Sequence, residues 1–217
     1  MIMDRYEEIR RYVDDLIYEI EKMNNYQLRV SCLFSIIDSF VQNYFNYNIK
    51  KNNKEIFCEF VLKFADKNKY VFLDKIDPIS LIYDNEGEKR RFEELSEANI
   101  YTPNSKCLDE ISKRYGIKEK SEKLKNRHKY IQLIYACRSK IVHEQQSCGI
   151  INVKTENDYN IPIYFDFTSY WKLIFPYTFL KELFLNCIDN YLNYQKENGE
   201  DPFNNNIDRK CFYAFYD

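Results

Sequence analysis

At 217 residues with 45% hydrophobic and 17% aromatic side chains, the chain can bury a substantial core as one elaborated domain. A formal charge of -2 gives no overall attraction to nucleic acid, and no run approaches the roughly 18 apolar residues of a membrane span. Four glycines and five prolines are too few for the frequent tight turns of a sandwich or barrel, so a mainly α fold is expected.

The first residues, Met1-Ile2-Met3-Asp4-Arg5-Tyr6-Glu7-Glu8, bring charge at once and lead into no apolar h-region, which predicts no secretory signal and a cytoplasmic protein. The seven cysteines form no Cys-x-x-Cys pair and have no histidine at ligand spacing, so they read as reduced thiols rather than a disulfide framework or a zinc site.

Taken in chain order, residues 4 to 22 place Tyr6, Ile9, Val13, Leu16, Ile17 and Ile20 on one face of an amphipathic helix. After Asn24-Asn25, residues 26 to 46 predict a more apolar, central helix in which Asp38 is the odd member. Residues 54 to 67 repeat Ile56, Phe57, Phe60, Val61 and Phe64 at helical spacing, and Asp77-Pro78 marks a break or a helix start in the less regular stretch from Tyr70 to Tyr83. Residues 84 to 125 read as a variable insertion, with a loop at 99 to 106 before a helix beginning near Ser105. From Lys113 to Lys129 eight lysines and arginines stand against two glutamates, a pattern that fits either a solvated helix face or a nucleic-acid footprint. His128, inside this charged run, is expected to face solvent.

The run then turns apolar through Tyr130, Ile131, Leu133, Ile134 and Cys137, a helix ending in Arg138-Ser139-Lys140-Ile141-Val142-His143-Glu144. Beyond it, alternation at Ile151, Val153 and Thr155 and again at Ile161, Ile163, Phe165 and Phe167 predicts a small β-hairpin within 149–167. Thr168 or Ser169 is expected to cap a following helix. Pro176 opens or kinks the long final helix, which Gly199 stops. The reading is a single domain over residues 1–200 with an aromatic tail at 201–217.

The chain has two histidines, so the one that stands five positions after an arginine is the best functional clue. On a continuous helix that spacing separates side chains by about 140° and about 7.5 Å of rise. Convergence of Arg138 and His143 is therefore expected only if the helix ends between them or two copies meet across a two-fold axis. Together they offer a rigid fork of donors for phosphate oxygens and a group that exchanges a proton near neutral pH. The bland reading is equally physical: a histidine interacting with the last carbonyls of a helix and an arginine in a salt bridge.

Tyr135, Arg138, Ser139, Val142 and His143 resemble the motif of the HEPN superfamily, and of its Apea-like families in particular. The likeness extends more weakly to Leu33-Phe34-Ser35-Ile36-Ile37-Asp38 and to the helix after Phe175-Pro176, and not to residues 50 to 125. The resemblance implies a HEPN-like helical bundle that forms a homodimer. It also implies a metal-independent ribonuclease needing no cofactor, in which the RNA 2′-hydroxyl attacks the adjacent phosphate. His143 would be the general base or acid and Arg138 would stabilise charge on phosphorus. Asp38, Ser139, Lys140 and Glu144 would be supporting residues, with Asp38 either orienting the pair or only fixing helix register. The setting implied is a bacterial toxin or antiphage defence effector with an antitoxin or defence-system partner protein and no membrane association. Many active members carry Asn, Asp or His after the arginine where this chain has Ser139, and adenylylated members carry tyrosine where it has Gln145. A catalytically inactive HEPN domain that binds RNA, nucleotide or a protein is thus the alternative, and a structural subunit docking through its aromatic tail is a third.

Overall fold

In the computed structural model, which describes residues 2–45, 52–86, 92, 95, 101–144, 159–167 and 170–202, each periodic apolar stretch forms a helix. The elements are α1 (Ile2–Glu21), α2 (Tyr26–Tyr44), α3 (Asn53–Phe64), α4 (Pro78–Glu86), α5 (Lys106–Arg114), α6 (Glu122–Arg127), α7 (Tyr130–Glu144), β1 (Ile163–Phe167), β2 (Tyr170–Ile174) and α8 (Tyr177–Glu197). Short 3-10 turns lie at Val71–Asp74 and Ile117–Glu119. The fold is mainly helical with one small antiparallel hairpin after α7, and no described helix is long and apolar enough to cross a membrane.

By their contacts the residues divide into two compact units, 1–65 with 184–217, and 66–183. In the first, asparagine side chains start two of the helices: Asn25 accepts from the Leu28 N–H and Asn52 from the Glu55 N–H, each satisfying an orphan donor of the first turn. The apolar faces of α1, α2, α3 and the second half of α8 meet in an aromatic core. There the Phe184 ring lies 5.3 Å from Phe34 and 6.2 Å from Phe57. Buried Asn43 donates to the Tyr191 hydroxyl at 2.9 Å and to the Pro202 carbonyl, which also accepts from Tyr191 at 2.9 Å. Arg10 pairs with Asp189, joining α1 to α8.

Pro176 opens α8: its carbonyl accepts the first helical bond, from the Leu180 N–H at 3.1 Å. At the far end Gly199 has φ +67°, and the Glu200 and Gly199 N–H groups donate to the carbonyls of Gln195 (3.0 Å) and Lys196 (3.2 Å). That is a Schellman cap, in which only a residue tolerating left-handed backbone fits. A Cβ at Gly199 would touch nothing within 4 Å, so Gly199→Ala isolates the backbone term. It should lower the unfolding free energy by about 1 kcal/mol, read from the urea midpoint, and Gly199→Asn should cost less.

The second unit packs α4 to α7, the hairpin and the first turns of α8. Buried Tyr130, Ile131, Ile134, Cys137 and Ile141 make the core stripe of α7. Residues 84 to 125, which read as an insertion, supply Phe92, Leu95, Leu108, Ile111 and Ile117 to this core. The hairpin differs from expectation in its partner strand. Ile163, Phe165 and Phe167 do lie in a strand, but it pairs with Tyr170–Ile174 in the register Ile163↔Ile174, and residues 151 to 158 lie outside the described ones. Thr168 and Ser169 thus precede a strand, not a helix. Trp171 and Ile174 are buried, and that burial holds the segment extended against the unit.

Candidate functional site

Because the core stripe occupies one side of α7, Arg138 and Ser139 are half-buried while Lys140 and His143 are exposed. Arg138 and His143 meet on this solvent side: Arg138 Nη1 lies 3.0 Å from His143 Nε2. The contact is made within one α7, without a break in the helix between the two residues, because the long arginine side chain spans the turn that separates them. The guanidinium carbon of Arg138 also stands 5.4 Å from the centre of the Tyr135 ring, a cation–π distance.

A guanidinium has donors only, so in this contact Arg138 donates and Nε2 accepts. The pair sits in the last turns of α7, and it presents a cationic fork and an imidazole to solvent.

The other expected residues are placed as follows. Ser139 and Lys140 lie beside the pair on α7; the Glu144 side chain and Gln145 fall outside the described residues. Asp38 lies half-buried on α2, in the first unit. Of the basic run, Lys113, Arg114, Lys118, Lys123 and Arg127 are exposed, whereas Lys125 pairs with Glu122 and Lys129 with Asp74. Among the described residues no group of three or more histidine, cysteine, aspartate or glutamate side chains is arranged to hold a metal ion.

Two polar constellations in the second unit were not anticipated. Asp77 is fully buried at the N-terminus of α4, where its carboxylate accepts from the Tyr164 hydroxyl (2.7 Å) and from the N–H groups of Ile79 (3.1 Å) and Ser80 (3.3 Å). Burial pushes its pKa above the ordinary carboxylate value, against the lowering effect of those bonds. The Tyr164 and Tyr130 hydroxyls are bonded in turn, and burial raises both phenols. Asp77 thereby ties α4, β1 and the start of α7 together. The available signal was the Asp-Pro dipeptide, an N-cap followed by a proline at the first helical position.

The second constellation corrects the placement of His128, which is only 8% exposed. Its Nδ1 is 3.1 Å from the Ser80 hydroxyl and its Nε2 3.2 Å from Asp84 Oδ2. A hydroxyl, an imidazole and a carboxylate in series suggest a nucleophilic triad. The surroundings argue otherwise: the Ile79 and Ser80 N–H groups that could face an oxyanion are both engaged by Asp77. The trio works as a clasp. With backbone bonds from Asp77 N–H to His128 O (2.8 Å) and from Tyr130 N–H to Lys75 O (3.0 Å), it joins α4 to the root of α7.

Compared with protein-family models, curated proteins and solved structures, the chain matches none.

Proposed function

We propose that this chain is a metal-independent RNA endonuclease of HEPN type in which Arg138 and His143 handle one phosphodiester. The observation that carries the reading is their 3.0 Å contact on the solvent side of α7, together with the resemblance of the residues around them. Two groups this close can address neighbouring oxygens of one phosphate. Arg138 would bind the non-bridging oxygens, where negative charge grows in the transition state, and His143 would transfer a proton. The bond formed joins the RNA 2′-oxygen to phosphorus and the bond broken releases the 5′-oxygen, leaving 2′,3′-cyclic phosphate and 5′-hydroxyl ends. DNA, lacking the 2′-hydroxyl, is not cut. Ser139 and Lys140 flank the pair and are the neighbours best placed to touch the RNA backbone, and the exposed cations between Lys113 and Arg127 fit a sequence-independent contribution to binding. A cytoplasmic homodimer acting as a toxin or defence effector, restrained by a partner protein, is the setting that goes with this reading.

The test is incubation of the purified protein with mixed cellular RNA in EDTA, followed by analysis of end groups. Cleavage leaving 2′,3′-cyclic phosphate ends supports the proposal. Intact RNA would move the reading to a catalytically inactive HEPN-like domain that binds RNA, nucleotide or a protein.

A further inference from the structure

The C-terminal end of α8 turns on a left-handed residue, and the chain supplies it with Asn198-Gly199, its one Asn-Gly dipeptide. Glycine serves the cap because it lacks a Cβ. For the same reason its nitrogen is the least hindered nucleophile that can follow an asparagine carboxamide. Both residues are exposed, so water reaches them. The cap nevertheless engages both reacting groups. The Gly199 N–H donates to the Lys196 carbonyl at 3.2 Å, and Asn198 Nδ2 donates to the Tyr194 carbonyl at 2.6 Å, which ties the carboxamide to the preceding turn.

Directly beyond the cap, residues 200–202 form a strap within the first unit. Tyr6 donates its hydroxyl to the Glu200 carbonyl, Arg5 pairs with Asp201, and Asn43 and Tyr191 both donate to the Pro202 carbonyl. The strap ties the end of α8 to α1 and α2, so a change of backbone at 198–199 is passed straight to these bonds.

We propose that Asn198-Gly199 is a site of spontaneous deamidation, held dormant by the cap and the strap, and that its conversion unfastens the strap. When the cap opens, the Gly199 nitrogen bonds to Asn198 Cγ. The carboxamide nitrogen leaves as ammonia, taking the Gly199 proton with it, and a succinimide remains. Water then opens that ring at either carbonyl, giving aspartate or isoaspartate at position 198. Either product lacks the Nδ2 donor to Tyr194. Either also places a carboxylate at the carbonyl end of α8, beside the exposed Glu197 and Glu200, where negative charge is disfavoured. Isoaspartate in addition lengthens the main chain by one carbon, which shifts the Glu200 N–H and carbonyl away from their partners on Gln195 and Tyr6.

The test holds the folded protein and a synthetic peptide spanning Tyr194 to Pro202 in the same mildly alkaline buffer. Conversion at Asn198 is followed by peptide mapping with mass spectrometry and an isoaspartate assay. The folded chain should convert at least about tenfold more slowly than the peptide, because reaction requires local opening. Tyr6→Phe removes the bond to Glu200 without touching the dipeptide, and it should speed conversion about fivefold, the effect of one net hydrogen bond on the opening equilibrium. Asp201→Asn weakens a partly exposed pair and should speed it about twofold. Circular dichroism of the same samples shows that each variant is folded. The converted protein, separated by its added charge, should exchange the Gly199 and Glu200 amide hydrogens faster than the unconverted protein. Conversion as fast in the fold as in the peptide, no conversion in the fold or in either strap variant, rates indifferent to the strap, or unchanged exchange after conversion overturns the proposal.

Discussion

His143→Ala and Arg138→Ala are each expected to slow RNA cleavage by about a hundredfold or more. A positioned proton-transfer group contributes about 10²–10⁴ in rate, and one donor to a developing oxyanion about 10²–10³. Because the two side chains touch each other at 3.0 Å and would, on the proposed reading, address one phosphate, the double variant should be scarcely slower than the worse single one, as for groups that act as a unit. Stability should hardly respond to the loss of His143, an exposed residue at a helix end; exposed substitutions usually move it by no more than about 0.5 kcal/mol. Single-turnover cleavage beside urea unfolding of the same preparations makes the check. Wild-type rates in both variants would end the case for catalysis at this pair.

Asp77→Ala should be the most damaging single polar change in the second unit, costing about 3 kcal/mol. It removes the cap of α4 and leaves the Tyr164 hydroxyl and two backbone N–H groups without their acceptor, and each such loss costs about 1 kcal/mol or more. Asp77→Asn keeps one acceptor oxygen and should cost less. The two differ from wild type in pH dependence as well. Burial raises the Asp77 carboxyl in the fold, so the folded state holds its proton more tightly than the unfolded chain. The stability this contributes is fully present below the ordinary aspartate value of about 4 and is lost as pH rises through the folded value. Wild type should therefore lose stability relative to Asp77→Asn as pH climbs from acid towards neutral, measured as unfolding free energies at a series of pH values. A constant difference would show that the carboxyl does not titrate differently in the two states.

The helices were legible because their cause is local. Apolar residues at helical spacing, Asn25 and Asn52 as caps, proline at the start of α4 and just before α8, and glycine at its left-handed stop all act within a few residues of themselves. The hairpin was legible only in part. Alternation in 163–167 gives a strand, but Tyr170–Ile174 has no cleaner period, and its strand form comes from the burial of Trp171 and Ile174 and from pairing with β1. Strand partners are a non-local choice that a sequence window does not contain.

The candidate site divides the same way. The sequence by itself determined which residues could do phosphate chemistry: one arginine and one of two histidines at the end of a helical segment. What the spacing argument missed is side-chain reach. A separation of about 140° made convergence conditional on a helix end between the two residues or on a second copy, whereas the arginine side chain spans that separation within one helix and meets the imidazole. Only the tertiary structure decided the fates of His128 and Asp77, two residues in charged or turn-like surroundings that end up buried. Their burial depends on β1 and the root of α7 converging on α4 from far along the chain. No local pattern encodes that convergence, because it follows from how the apolar faces of separate elements pack.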